Sequence, residues 1–399
     1  LSMALSIIML NITVSLVASF DEDKYVSSFA SSDFTVADAS LFDRYLKAVE
    51  NEGVSKSDIK YCKKMDGIED IGAVYMSEGF HKVDGLVLKK VLNFYETIKN
   101  KINSDEVKEL ETRIFDSHEI YSYVYGIDQI VYDKLEMDAG KLDWKKFKTG
   151  KYVVISAPIE GSKDDAEVAF YKIGDNINVE MPDGSTKSYE VIGIGKIPYA
   201  MGPGYSFTID INIMLPSEEY LAHSQSKGAM KLFMNVDDNN IDKVEASLTE
   251  YCENIKPLLD FESRNKYKEG FKKMQQTFLL IGSAMSLILA LIGILNFINL
   301  TYTSINERCK ELTTLHAVGM TQRQIKKMLS VEGAIRTIFT FIVVFSIGVG
   351  LNRTIINLIA GKMIMFKYQF VAWPMLVSIP IFLLIAVIIP KMFSWQNKA

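Results

Sequence analysis

The chain has 399 residues, a formal net charge of −5 and 48% hydrophobic residues, so it is long enough for two or three domains. Residues 21–272 hold 46 of the 49 acidic residues, whereas the rest of the chain is apolar and mostly basic. This division is typical of a folded domain anchored in a lipid bilayer. No compact basic face stands out in the acidic part, which argues against nucleic acid as a partner.

Residues 1–20 are the first of four predicted transmembrane helices. The run is uncharged, and at about 1.5 Å per residue a helix of this length crosses roughly 30 Å of hydrocarbon. A secretory signal peptide is the alternative, but a basic start and a small-residue cleavage site are missing. Because the chain opens inside an apolar run, we expect the natural protein to continue upstream.

Residues 21–263 mix helical and strand patterns and predict a large α+β domain outside the membrane, inserted between transmembrane helices 1 and 2. Periodic, charged stretches predict helices at 42–64, 86–115 and 240–256. Alternating stretches predict strands at 152–156, 177–181, 189–193, 209–213 and 228–236. A Pro-Asp-Gly-Ser turn lies at 182–185, and several of these strands together predict a small β-subdomain at about 151–215.

Residues 264–303 predict one helix of about 60 Å, roughly twice the length that a bilayer needs, so we interpret them as a stalk continuing into transmembrane helix 2. Aromatic and apolar residues recur with a heptad-like spacing in the stalk, at Tyr267, Phe271, Met274 and Phe278. This seam predicts packing on a partner helix, the extension of the first span. Within the apolar part, small residues four apart predict close helix packing at Gly282, Ser286 and Ala290.

Residues 304–333 predict a cytoplasmic loop of two short helices between apolar runs. Its basic residues outnumber Glu307 and Glu311, and short loops rich in Lys and Arg stay in the cytoplasm. Gly319 stands where the first helix ends, and Thr321 is placed to cap the second. We call this segment the coupling hairpin.

Transmembrane helices 3 and 4 are predicted at 334–358 and 368–390. Arg353 lies about one turn from the outer end of helix 3, where a snorkelling side chain is favoured over a substrate-binding role. Trp373 and Trp395 are placed as interfacial anchors. The spans make this a multi-pass cell-membrane protein with both termini in the cytoplasm.

Motifs for chemistry are missing from the sequence. There is no Gly-x4-Gly-Lys-Ser/Thr phosphate loop, no Gly-x-Ser-x-Gly elbow and no His/Cys cluster at zinc-ligand spacing. Cys62 and Cys252 lie in the outer domain, where a disulfide is permitted, but two buried thiols are the favoured interpretation. Cys309 is expected to be a reduced cytoplasmic thiol. We therefore expect no catalytic, cofactor-binding or metal-binding residues.

The coupling hairpin resembles the FtsX-like, or MacB-like, permeases of bacterial ABC transporters. The matching pattern is Arg308, Glu311, Leu315, Ala317, Val318, Gly319, Gln322, Arg323, Gln324, Ile325 and Glu332. His316 stands where the family usually has Arg, and residues 142–153 are similar to the family's periplasmic core domain.

The resemblance implies that the hairpin docks on a separate cytoplasmic ATPase subunit, which binds ATP and Mg²⁺. The implied interface consists of Arg308, Glu311, Leu312, Leu315, Ala317, Val318, Gly319, Met320 and Gln324. Other implied partners are the lipid bilayer, a second permease half or copy, and an extracellular peptide, lipid or protein.

The leading hypothesis is a permease subunit that couples ATP hydrolysis in its partner to motion of the outer domain, acting on a peptide or lipid-like substrate. Two alternatives use the same architecture. One is a regulator that activates an extracellular cell-wall hydrolase, and the other is a peptide-antibiotic sensing or resistance module with a histidine kinase. An inert amphipathic loop on the inner leaflet is the alternative for the hairpin itself.

Overall fold

A computed structural model describes residues 2–42, 53–101, 104–158, 168–203, 209–224, 228–360 and 367–392. The chain divides into a helical unit, Leu1–Tyr25 with Lys268–Ala399, and an α/β unit, Val26–Tyr267. Both boundaries fall inside helices, so the chain passes from one unit to the other without a loop. Part of the helix predicted at 42–64 lies outside the described residues.

The α/β unit is built on twelve described strands. They are β1 Phe34–Asp38, β2 Val54–Ser55, β3 Ile68–Lys82, β4 Glu119–Ile127, β5 Glu136–Gly140, β6 Tyr152–Ile155, β7 Asn176–Glu180, β8 Thr186–Lys196, β9 Asp210–Pro216, β10 Gly228–Ala229, β11 Lys231–Val236 and β12 Leu259–Ser263. Ten of them form one sheet in the order β12-β1-β11-β3-β4-β9-β6-β8-β5, with β7 added to β8, while β10 pairs with β2. The pairs β4–β9 and β6–β8 are parallel and the others antiparallel.

Helices flank these strands. They are α2 Glu22–Phe29, α3 Lys56–Cys62, α4 Gly85–Ile98, α5 Ser104–Glu111, α6 Gln129–Tyr132, α7 Trp144–Phe147, α8 Ser217–Ala222 and α9 Ile241–Glu250. Short 3₁₀ turns lie at Ala39–Leu41, Lys99–Lys101 and Tyr199–Met201, and π turns at Thr112–Ser117 and Tyr251–Ile255.

The sheet is buried on both faces, as the alternation of side chains along β4 shows. Val124 belongs to one apolar cluster, whereas its neighbours Tyr123 and Tyr125 belong to another. Successive side chains of a strand point to opposite faces, so each face has its own core.

The predicted β-subdomain at 151–215 differs from the structure, because β9 pairs in parallel with β4 and joins these strands to the one large sheet. Strands β3 and β4 were not predicted. In β4 the near-continuous burial removes the polar alternation on which strand prediction depends, whereas β3 is continuously buried only at 72–75.

The helical unit contains α1 Ser2–Ala18, α10 Arg264–Glu307 from Lys268 onward, α11 Cys309–Ala317, α12 Gln322–Val343, α13 Val349–Ala360 and α14 Trp373–Met392. A π turn, Val344–Gly348, joins α12 to α13. An apolar cluster from α1, α10, α12 and α14 forms the centre of this unit.

Two helical stretches, Arg264–Glu307 and Gln322–Ile359, are long and apolar enough to cross a membrane, whereas the apolar parts of α1 and α14 are shorter. Of the four predicted spans, the second and third thus correspond to helices long enough to cross a membrane within the described residues, and the count of four stays a prediction. The described helix boundaries also differ from the predicted ones. The helix predicted from 334 begins at Gln322, so the second half of the coupling hairpin is continuous with it, and the helix predicted from 368 begins at Trp373.

Candidate functional site

The first helix of the coupling hairpin ends in a glycine-dependent cap. Gly319 has a φ of +109°, its amide donates to the His316 carbonyl at 3.0 Å, and the Met320 amide donates to the Leu315 carbonyl at 3.1 Å. This pair of bonds is a Schellman motif, which satisfies carbonyls at the end of a helix. The sequence therefore determines locally where α11 stops.

The second helix of the hairpin begins at a capping box. The Thr321 side chain accepts from the Gln324 amide, and the Gln324 side chain accepts in turn from the Thr321 amide at 2.8 Å. This reciprocal pair satisfies two orphan amides of α12. Gln324, predicted to contact the ATPase, is exposed but already engaged in this cap.

The hairpin has an apolar core of its own. Its buried members are Ile305, Leu312, Ile325 and Leu329, with Met320 and Met328 packed against them. Leu312 is fully buried, so in this structure it stabilises the hairpin from inside and is inaccessible to a partner. Its assignment to the docking interface came from the family resemblance.

The predicted docking residues at the tip of the hairpin are differently exposed. Val318 is 82% exposed, Ala317 and Gly319 are also exposed, and Leu315 is half-buried. The surface that the tip offers is therefore small and centred on Val318.

Four charged side chains link the residue after α10 with α11 and α12. Arg308 donates from Nε and Nη2 to both oxygens of Glu311, at 2.8 and 3.0 Å, and from Nη1 to Glu332 at 2.9 Å. Arg336 donates to the other oxygen of Glu332 at 2.7 Å. Hydrogen bonding to Glu311 raises the pKa of Arg308, and the same bonds lower the pKa of Glu311.

Two residues of the predicted stalk seam pack on the segment that follows α1. Phe271 is fully buried, with its ring centroid 5.9 Å from that of Phe20 and 5.0 Å from that of Tyr25. Phe278 stacks on Phe20 at 5.7 Å. Met274 lies between them in the sequence and is half-buried.

Tyr267, the first residue of the seam, belongs to the α/β unit. Its ring stacks on Phe29 at a centroid distance of 5.7 Å, and its hydroxyl donates to Glu262. Within this unit the start of α10 is therefore held by α2 and by the end of β12.

The stripe of small residues faces α1 at its first position. A Cβ atom added to Gly282 would overlap the side chain of Thr13. Ser286 is buried and donates to the Gly282 carbonyl of its own helix at 2.7 Å, while Ala290 is half-buried. Close approach of the backbones is therefore seen at Gly282.

Sequence reasoning missed a polar stripe on α1 that binds the extended segment 367–371. The Ser19 carbonyl accepts from the Lys367 amide at 2.8 Å. The Ser19 hydroxyl accepts from the Gln369 amide at 2.9 Å. Ser15 accepts from the Val371 amide at 3.1 Å. These bonds satisfy backbone amides of the non-helical segment 367–371.

Asn11 extends the same stripe. It donates to the Val371 carbonyl at 2.6 Å and accepts from the Nδ2 of Asn352 at 2.7 Å, and both asparagines are fully buried. The signal was present in the sequence, because Asn11, Ser15 and Ser19 recur every four residues in an uncharged, mostly apolar run.

A cavity of about 440 Å³ lies between residues 18–23 and 367–369 of the helical unit. It is open to solvent, and its lining includes Asp21, Glu22, Asp23 and Lys367.

The α/β unit contains a Ser, His and Asp cluster that lacks the geometry of a catalytic triad. Ser185 Oγ and Asp183 Oδ2 lie 3.3 and 3.0 Å from the same nitrogen of His223, Nδ1. A triad needs the nucleophile and the carboxylate on opposite ring nitrogens. Among the described residues, no group of three or more His, Cys, Asp or Glu is placed to hold a metal ion.

Both cysteines of the α/β unit are free and buried. Burial raises the pKa of the Cys62 thiol to about 12 and that of the Cys252 thiol to about 11. Cys309 in the hairpin is partly exposed.

The solved structures that are similar to this chain include two extracytoplasmic domains. The periplasmic region of MacB from Actinobacillus actinomycetemcomitans has 14% identity and a TM-score of 0.38, covering 62% of this chain and 95% of that one. The extracellular domain of the noncanonic ABC-type transporter YknZ from Gram-positive bacteria has 14% identity and a TM-score of 0.31, covering 52% of this chain and 89% of that one.

Comparison with curated protein sequences finds no match. A sequence-family comparison matches residues 283–396 to the family described as FtsX-like permease C-terminal. The matched range holds the apolar part of α10, the coupling hairpin and the helices that follow it. This C-terminal part of the chain is thus similar to the C-terminal region of the FtsX-like permeases.

Proposed function

We propose that the chain is the permease subunit of an ABC transporter, and that its coupling hairpin docks on a separate ATP-hydrolysing subunit. The observation that carries the proposal is the family match over 283–396, because this range contains the hairpin, the first long apolar helix from residue 283 onward and the whole of the second. The ATPase partner binds ATP and Mg²⁺, and this chain acts on a peptide or lipid-like substrate.

The hairpin is suited to receive a mechanical input because it is a small folded unit. It has its own apolar core, a Schellman motif at the end of α11 and a capping box at the start of α12. A preformed element loses little conformational entropy when it docks. Val318 and Gly319, at its tip, are the first contacts of the partner in this proposal.

Transmission follows α10, which is one helix of 44 residues. At about 1.5 Å per residue it is roughly 66 Å long. It follows β12 of the α/β unit directly and ends one residue before Arg308. The proposal places the α/β unit outside the cell and both chain ends in the cytoplasm, since the hairpin carries five Lys and Arg residues, against two in residues 361–372. A second permease half or copy completes the transporter.

A cross-linking experiment identifies the partner. A photoreactive amino acid is placed at Val318 in the full chain in its own membrane, with Leu358 as the control position, since Leu358 is 64% exposed but lies on α13. We expect capture of an ABC-type ATPase, identified by mass spectrometry, from Val318 alone.

Reconstitution then tests the coupling. Val318→Glu places a charge at the proposed apolar contact. Gly319→Trp adds bulk where nothing lies within 4 Å, and it also strains the cap because φ is positive there. Both variants are expected to weaken stimulation of the captured ATPase by the permease. Wild-type stimulation in both would refute the docking role of the hairpin.

A further inference from the structure

Arg308 is placed where three helices meet. It is the single residue between the last residue of α10, Glu307, and the first residue of α11, Cys309. Its guanidinium binds Glu311 on α11 through two nitrogens and Glu332 on α12 through a third. One side chain therefore links the end of the stalk helix to both helices of the coupling hairpin.

The carboxylates around Arg308 are occupied as well. Both oxygens of Glu311 accept from Arg308, and Glu332 accepts from Arg308 with one oxygen and from Arg336 with the other. Bidentate guanidinium–carboxylate pairs fix orientation as well as distance, and Lys, a point charge, does not reproduce them. The four residues form an alternating chain of charges from α11 to α12.

We propose that Arg308 and Glu311 act as an internal brace of the coupling hairpin and not as a charged rim that contacts the ATPase. The inference rests on the proposed function in so far as the brace positions α11 for docking. Arg308 is a positioning residue: it holds Glu311 and Glu332, and through them it sets the orientation of α11 relative to α10 and α12.

The length of α11 explains why a brace is needed. The helix has nine residues, and isolated helices shorter than about 12–15 residues are marginal in water. Leu312 is the only residue of α11 that is buried within the described structure. The ion network supplies a second attachment on a different side of the helix from Leu312.

Amide hydrogen exchange tests the brace directly and without any partner. The full chain in lipid nanodiscs is compared with Arg308→Gln, Arg308→Lys and Glu332→Gln, and with Lys310→Gln as the matched control, because Lys310 is an exposed neighbouring cation. Exposed ion pairs contribute modestly, so loss of the two pairs that Arg308 makes is expected to speed exchange in 309–317 by roughly 3- to 30-fold.

The pattern among the variants is diagnostic. Arg308→Gln gives the largest acceleration, and Arg308→Lys restores only part of the protection because it cannot form the fork. In the double variant, the effects of Arg308→Gln and Glu332→Gln on exchange are less than additive, because both substitutions break the Arg308–Glu332 pair. Exchange in Arg308→Gln within about twofold of the Lys310→Gln control would overturn the brace.

The partner ATPase supplies a second readout that separates positioning from contact. With a brace, Arg308→Gln lowers the maximal stimulated ATPase rate, whereas Val318→Glu raises the half-saturating partner concentration. If Arg308→Gln raises only that concentration and leaves exchange unchanged, Arg308 is a direct contact and the brace is overturned. Accelerated exchange with no effect of Val318→Glu on the ATPase supports the brace while it refutes the proposed function.

Discussion

Gly282 offers the sharpest test of how α1 and α10 pack. An added Cβ would overlap Thr13, lying 2.6 Å from its Oγ1 and 2.9 Å from its Cβ. A rotamer change of Thr13 moves its Oγ1 and Cγ2 but not its Cβ, which is fixed to the backbone. Gly282→Ala therefore forces the two helices apart.

Gly270, on the same helix, is the matched control. Nothing lies within 4 Å of a Cβ added there. Gly270→Ala is thus expected to raise the free energy of unfolding by about 0.5–1 kcal/mol through helix propensity. At Gly282 overpacking costs about 1–3 kcal/mol, so the same substitution is expected to lower the free energy of unfolding.

The assay is reversible denaturation of the full chain in detergent micelles, followed by helical circular dichroism. Thr13→Ala removes the two atoms nearest to the added Cβ, so in the Gly282→Ala background it should recover more than half of the lost stability. Packing of α1 on α10 at Gly282 is refuted if Gly282→Ala stabilises the chain as much as Gly270→Ala does.

Three further predictions address the hairpin cap, a buried histidine and the cysteines. Gly319→Ala should destabilise the hairpin turn by about 1–2 kcal/mol, because φ is positive there. Faster amide exchange of the turn measures this loss, and Gly319→Asn should destabilise the turn less. Burial lowers the pKa of His81 from 6.5 to about 4, so the unfolded chain binds a proton that the folded chain does not. The His81 contribution to the free energy of unfolding should be constant above about pH 6.5 and fall by up to about 3 kcal/mol as the pH drops towards 4. Denaturation curves at several pH values measure this fall, which should be smaller in His81→Gln. A maleimide should label Cys309 in the folded chain, and Cys62 and Cys252 only after unfolding, as counted by mass spectrometry, since both are buried thiols.

The capping residues of the hairpin could be predicted because their interactions are local. Gly319 and Thr321 bond within five residues of themselves, so the sequence alone contains the information. The turn at 182–185 is predictable for the same reason, because the Met181 amide donates to the nearby Ser185 carbonyl at 2.8 Å.

The roles of the apolar hairpin residues could not be predicted in the same way. Leu312 and Val318 were both assigned to the docking interface, yet one is fully buried and the other 82% exposed. Spacing defines a helix face but not the neighbour that covers it. Ile305 and Ile325, from two other helices, decide that Leu312 faces inward.

The sequence by itself determined the charge division, the apolar helices and the ends of the hairpin, because each depends on residues close together in the chain. Only the tertiary structure decided that 367–371 is extended and bound along α1, and that Arg308 reaches Glu332. These contacts join residues that are 24 to 356 positions apart. Such pairings depend on how whole helices pack, a property that no local pattern of residues specifies.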